Sequence, residues 1–148
     1  MTILSAQELL RRLPHGHPFL LLDEVDVQEA GVRGVGLKNV TISDPVFSGH
    51  FPGNPLYPGV LLIEAAAQTA GIVATADEAA STFGIPGRGA YLANVRRFAF
   101  KQLVRPGDQL RIETVKSGVL AQLVTFSVTI RVSNSVVATG SIALSFFD

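Results

Sequence analysis

Residues 59–76 read GVLLIEAAAQTAGIVATA and follow Pro58. Proline is a common residue at a helix entry, and at about 1.5 Å per residue the stretch predicts a helix roughly 25 Å long. Apart from Glu64, Gln68 and two threonines, every residue in it is apolar or glycine. A helix apolar on every face is buried on every face, so the rest of the chain has to enclose it. The stretches 90–100, 109–117, 120–132 and 135–147 alternate as strands do. Pro106-Gly107-Asp108 and Ser133-Asn134 are the turn signals between them. Upstream, 19–29 alternates from Leu22 onward and 32–40 alternates after Gly31, which predicts a hairpin. Ser5 and Glu8 have capping-box spacing and predict a short helix over 5–12. The expected fold is α+β: an antiparallel sheet of five to seven strands around one long central helix, in a single domain spanning 1–148.

Composition narrows the function classes. The 148 residues are 47% hydrophobic and 16% charged, with twelve basic and twelve acidic side chains. That much apolar sequence excludes a disordered chain and predicts that a homo-oligomer buries further surface. Zero net charge excludes a protein whose whole surface is a nucleic-acid footprint. With no cysteine there is no disulfide, thiolate nucleophile or cysteine-ligated metal. Glu8, Arg11 and Arg12 near the start argue against a signal peptide, and no unbroken apolar run is long enough to span a membrane. A soluble cytoplasmic protein is the expectation.

Residues 45–58, PVFSGHFPGNPLYP, carry four prolines and two glycines. They predict no regular element, yet they are too apolar for a solvated linker, so a binding loop held in one shape is expected. His50 in this loop is a candidate base, since imidazole exchanges protons near neutral pH. Glu64 is a carboxyl group on an otherwise apolar helix, where it has to be paired or neutral. Desolvation favours the un-ionised form, which makes Glu64 a candidate general acid. Gln68, four residues on, shares its helix face. The N–H groups of Gly59 and Val60 open the helix with no intrahelical acceptor, at the positive end of its dipole. They are candidate donors to a thioester carbonyl and to the enolate-like oxygen it becomes. Base, acid and carbonyl donor within fifteen residues suit the β-elimination of water next to a carbonyl.

The stretch GHFPGNPLYPGVLLIEAAAQTAG (49–71), with LPHGHPFLLLDEV upstream and FKQLVRPGDQL downstream, resembles FabZ-type β-hydroxyacyl-[acyl-carrier-protein] dehydratases over roughly residues 8–145. The resemblance implies a hot-dog fold, a sheet wrapped around a central helix, and an active site shared by two protomers of a homodimer or trimer of dimers. His50 of one protomer then takes the α-proton, and Glu64 of the other protonates the departing hydroxyl of a (3R)-hydroxyacyl chain, giving the trans-2-enoyl thioester. Gly59 and Val60 hold the carbonyl, and Gln68, Phe51 and Pro52 support the site. Glu rather than Asp at position 64 resembles the branch that dehydrates without isomerising. No cofactor or metal is implied, and neither nucleic acid nor membrane is an expected partner.

Three positions depart from the family pattern. Pro14-His15-Gly16-His17-Pro18 stands where Pro-His-Arg is common, and His15 and His17 could at most suggest a metal pair. Arg96 and Arg97 stand where an acidic residue is frequent, and Ala99 replaces an arginine often seen before the pair here formed by Phe100 and Lys101. Residues 79–107 hold Arg88, Arg96, Arg97, Lys101 and Arg105 and no acid, which predicts a docking patch for an acidic acyl carrier protein. The rival readings are a hot-dog acyl thioesterase and a non-catalytic acyl-binding partner subunit, with fatty acid, polyketide or polyene synthesis as the setting.

Overall fold

The computed structural model describes residues 1–77 and 89–147. In chain order it contains β1 (Thr2–Ser5), α1 (Ala6–Arg12), β2 (Glu24–Glu29), β3 (Arg33–Asn39), a 3-10 turn (Pro45–Ser48) and α2 (Gly59–Ala74). β4 (Gly89–Phe100), β5 (Gln109–Leu120), β6 (Leu123–Val132) and β7 (Ser135–Phe147) follow. All seven strands form one sheet in the order β1-β2-β3-β5-β6-β7-β4, every neighbouring pair antiparallel. Leu62, Ala65, Ala66, Ala70, Ile72 and Val73 of α2 share one core with Val25, Leu110, Ile112, Phe126, Ile130 and Ile142 of the sheet.

Two glycines fix how close the helix lies. A Cβ on Gly34 would stand 2.6 Å from Val73 Cγ2, and one on Gly36 would run into Thr69 Oγ1. Glycine in a strand marks such an approach of another element. Thr69 in turn donates its hydroxyl to the Ala65 carbonyl at 2.9 Å, which holds its side chain against the helix.

The α+β layout agrees with the sequence reading, with differences in detail. β1 is an unanticipated edge strand: four residues with one buried side chain carry too little periodicity to show. The strand expected over 19–29 begins only at Glu24, because 19–23 hooks toward α2. There the Leu21 N–H donates to the Gln68 side chain at 3.1 Å. β5 runs on to Leu120 and β6 starts at Leu123, the reversal falling on Ala121 in the left-handed region. In the proline-rich loop one 3-10 turn does form, with Pro45 in its first turn, where the missing N–H costs nothing.

Burial of α2 is complete only from Ala65 to Val73. Its first turn is open, with Val60 71% exposed. β4 lies at a sheet edge and leaves Tyr91, Leu92, Val95 and Phe100 exposed as well. No helix among the described residues is long and apolar enough to cross a membrane.

The close helix–sheet contact yields a matched pair of expectations. Gly36→Ala should destabilise the fold by about 1–3 kcal/mol through overpacking against Thr69. Gly118→Ala, at a strand position with open space around its Cβ, should change stability by no more than about 0.5 kcal/mol. Urea unfolding of the two variants beside the parent measures both.

Candidate active site

His50 is held entirely by its own loop. Its N–H donates to the Val46 carbonyl at 2.9 Å, and its C=O accepts from the Leu56 N–H at 3.1 Å. Its ring Nδ1 lies 2.7 Å from the Leu56 carbonyl oxygen. A carbonyl can only accept, so Nδ1 carries the ring hydrogen and Nε2 presents a lone pair. That is the tautomer a general base needs. The ring stacks on Phe51 at 4.0 Å. Phe51 and Asn54 exchange backbone hydrogen bonds of 3.0 and 2.8 Å across a turn that places Gly53 at φ +75°, where glycine is the unstrained residue. Asn54 also accepts from the Arg105 guanidinium at 3.2 Å, and the Tyr57 N–H donates to the Val104 carbonyl at 2.8 Å. The loop is thereby tied to the segment that precedes β5.

Tyr57 carries no visible role in proton transfer. Burial, followed by the nearby Asp44 and Asp23 carboxylates, pushes its phenol well above the ordinary range. The hydroxyl is buried with no hydrogen-bond partner among the described residues.

At the start of α2, the Leu61 and Leu62 N–H groups both donate to the Pro58 carbonyl, at 3.0 and 3.3 Å. Gly59 and Val60 N–H have no acceptor among the described residues. The Phe100 ring covers this turn so closely that a Cβ on Gly59 would stand 2.9 Å from it. Only glycine leaves the ring and the helix entry both in place.

One and a half turns along the helix, Glu64 faces a cavity of about 80 Å³ lined with Leu13, Pro14, His15, Gln68, Leu92 and Leu144. Its carboxyl group is partnered rather than isolated. Gln68 Nε2 donates to Glu64 Oε1 at 2.9 Å, and His15 Nε2 lies 3.2 Å from the same oxygen. Gln68 also donates to the Phe19 carbonyl at 2.8 Å and accepts from the Leu21 N–H. His15 is the residue whose part was missed: read from sequence it suggested at most a metal ligand beside His17, whereas it points at Glu64 and His17 is exposed. Contact across 49 residues leaves no local periodicity to find it by.

His50 lines neither this cavity nor a larger one, about 360 Å³, between Phe19, Leu21, Val46, Tyr57 and Leu61. Within one chain His50 is thus not part of the wall of the cavity that Glu64 faces. Phe51 and Pro52 follow His50 and are exposed. Arg96, Arg97, Lys101 and Arg105 are also exposed, and among the described residues no carboxylate pairs with the first three. Arg88 lies outside the described residues.

A helix wrapped by an antiparallel sheet is the hot-dog fold. The solved structures it resembles agree on the fold. The dehydratase heterocomplex ApeI:P from Xenorhabdus doucetiae matches with a TM-score of 0.73 at 21% identity, covering 93% of this chain and 90% of that one. A hypothetical thioesterase with coenzyme A from Streptococcus pneumoniae matches at 0.60 and 12%, covering 96% and 92%. Sequence carries the assignment further. The FabA-like domain family matches residues 13–141. The 3-hydroxyacyl-[acyl-carrier-protein] dehydratase FabZ of Geobacter metallireducens is 40% identical over 99% of this chain and 96% of its own. That of Geotalea uraniireducens is 47% identical over 74% of each. The chain belongs to the FabZ family of 3-hydroxyacyl-[acyl-carrier-protein] dehydratases, within the FabA-like group.

Because Gln68 satisfies the Phe19 carbonyl and the Leu21 N–H, while Glu64 keeps His15 beside it, Gln68→Leu should cost about 2–6 kcal/mol, at about 1–3 for each of the two backbone groups left without a partner. Chemical denaturation against the parent tests this, and a loss below about 0.5 kcal/mol would show that water replaces the amide.

Proposed function

We propose that this chain dehydrates (3R)-hydroxyacyl groups carried on acyl carrier protein to trans-2-enoyl thioesters, as one catalytic domain over 1–148. The observation that carries the reading is His50 with Nε2 free and Nδ1 committed to Leu56, in a chain belonging to a dehydratase family.

His50 Nε2 takes the proton from the carbon next to the thioester carbonyl. The electron pair of that C–H bond moves toward the carbonyl, and Gly59 and Val60 N–H hold the oxygen as charge gathers on it. The pair then returns to form the carbon–carbon double bond as the C–O bond of the hydroxyl breaks. Glu64 supplies the proton with which that hydroxyl leaves as water. One proton goes to imidazole and one comes from the carboxyl group, so the step balances without an oxidant, a reductant or a metal.

Acid and base come from two copies of the chain, His50 of one copy serving Glu64 of the other. What supports this is that His50 is not part of the wall of the cavity that Glu64 faces within one chain, together with the exposed apolar residues on the edge strand β4 and on the first turn of α2. An unpaired edge of that kind is a ready surface for a second strand. The exposed cations Arg96, Arg97, Lys101 and Arg105 suit the acidic carrier, and the setting is fatty acid synthesis in the cytoplasm.

His50→Ala and Glu64→Gln should each lower kcat by about 10²–10⁴, the usual worth of a positioned acid or base. Enoyl absorbance from a 3-hydroxyacyl carrier-protein substrate measures the loss, and near-parent turnover by either variant refutes its role. Replacing Arg96, Arg97 and Lys101 together by Ala should raise KM about tenfold for the carrier-bound substrate. The coenzyme A analogue should be unaffected, and the difference should shrink as salt screens the patch. Equal effects on both substrates would remove the docking role.

A further inference from the structure

The mechanism above leaves unused a half-buried histidine that touches the acid. His15 sits in the loop between α1 and β2, and its Nε2 lies 3.2 Å from Glu64 Oε1. Its other nitrogen, Nδ1, is buried and has no hydrogen-bond partner among the described residues. A hydrogen on Nδ1 would be an unsatisfied buried donor, which is costly, so the ring hydrogen belongs on Nε2, aimed at the carboxyl group. Gln68 Nε2 donates to the same oxygen at 2.9 Å. Glu64 Oε1 thus receives two N–H donors, one from the 13–21 loop and one from its own helix. Glu64 Oε2 has no partner among the described residues.

We infer that His15 is a positioning residue for dehydration: with Gln68 it saturates Glu64 Oε1, so that Oε2 is the oxygen that carries and releases the proton. The inference rests on the general-acid role of Glu64 proposed above. In the un-ionised acid, an oxygen already accepting two hydrogen bonds is the carbonyl oxygen, and the hydroxyl hydrogen takes the other position. As that hydrogen passes from Oε2 to the departing hydroxyl, the substrate C–O bond breaks, water leaves and the carboxyl group becomes a carboxylate. Hydrogen bonds to a carboxylate are roughly twice as strong as those to a neutral oxygen. The two donors therefore bind the reacting state more tightly than the resting one, which is the condition for raising kcat rather than lowering KM. His15 need not touch the acyl chain to act in this way.

The substitution His15→Phe keeps the ring volume and its stacking near Phe19, whose centroid lies 6.0 Å away, while removing the donor. In the full-length protein it should leave the melting temperature within a few degrees and lower kcat about 10–100-fold, with KM within about threefold. His15→Gln, whose amide N–H can stand in for Nε2–H, should bring kcat back to within about fivefold of the parent. In a Glu64→Gln background, His15→Phe should add nothing, since its effect runs through the carboxyl group. His15→Leu is the second donorless variant should the larger ring fail to pack. Parent-like kcat in folded donorless variants, or a Gln variant as slow as they are, overturns the inference. So does a further loss in the Glu64→Gln background. An inactive Glu64→Gln beside a fully active His15→Phe would sink only the role of His15. A Glu64→Gln variant at the parental rate would remove the acid assignment itself and the inference with it.

Discussion

Every part of the acid side depends on the buried side chain of Gln68. Its amide offers two hydrogens and one oxygen, and all three are used: toward Glu64, toward the Phe19 carbonyl and from the Leu21 N–H. A polar group 2% exposed in an apolar core is tolerated only when satisfied to this degree. The consequence is mechanical. The loop 13–21 contains two prolines and little regular hydrogen bonding of its own, yet it is pinned to the central helix at two backbone groups, the Phe19 carbonyl and the Leu21 N–H. That pinning brings Leu13, Pro14 and His15 to the wall of the cavity that Glu64 faces.

His50 and Glu64, the proposed base and acid, are held by different means. His50 is fixed by backbone: its own N–H and C=O, the Leu56 carbonyl, and the tight turn from Phe51 to Asn54. Glu64 is fixed by side chains reaching in from other segments. Backbone fixation leaves little freedom in the orientation of the base, and the same loop runs directly into the free N–H groups of Gly59 and Val60. The His50 loop and the helix entry at Gly59 and Val60 are thus contiguous, whereas Glu64 lies between side chains of the packed helix and the 13–21 loop.

That division also explains what the sequence disclosed. α2 was legible because sixteen consecutive helical residues with almost no polar side chain admit one reading, and the strands β3 to β7 because alternation over seven or more residues does. His50, Glu64, Gln68 and the open N–H groups of Gly59 and Val60 stood out because their neighbours are unsuited to polar groups. β1 was invisible at four residues, and 19–23 looked like the start of a strand because its leucines are buried whether the backbone is extended or hooked. The exposure of Val60 and of β4 was not legible in either stretch, since an apolar residue that faces the core and one that faces outward read alike. The meeting of His15 with Glu64 depends on three-dimensional closure across the whole first third of the chain.

The bare patch that β3 presents to α2 has a consequence for how such a chain changes over time. Position 36 is confined to glycine by the hydroxyl of Thr69 on a different element and not by its own backbone angles. A side chain there costs about 1–3 kcal/mol while Thr69 is in place and less once residue 69 has shrunk. The helix seat is thus a ratchet between two sites 33 positions apart, along which drift has a favoured direction.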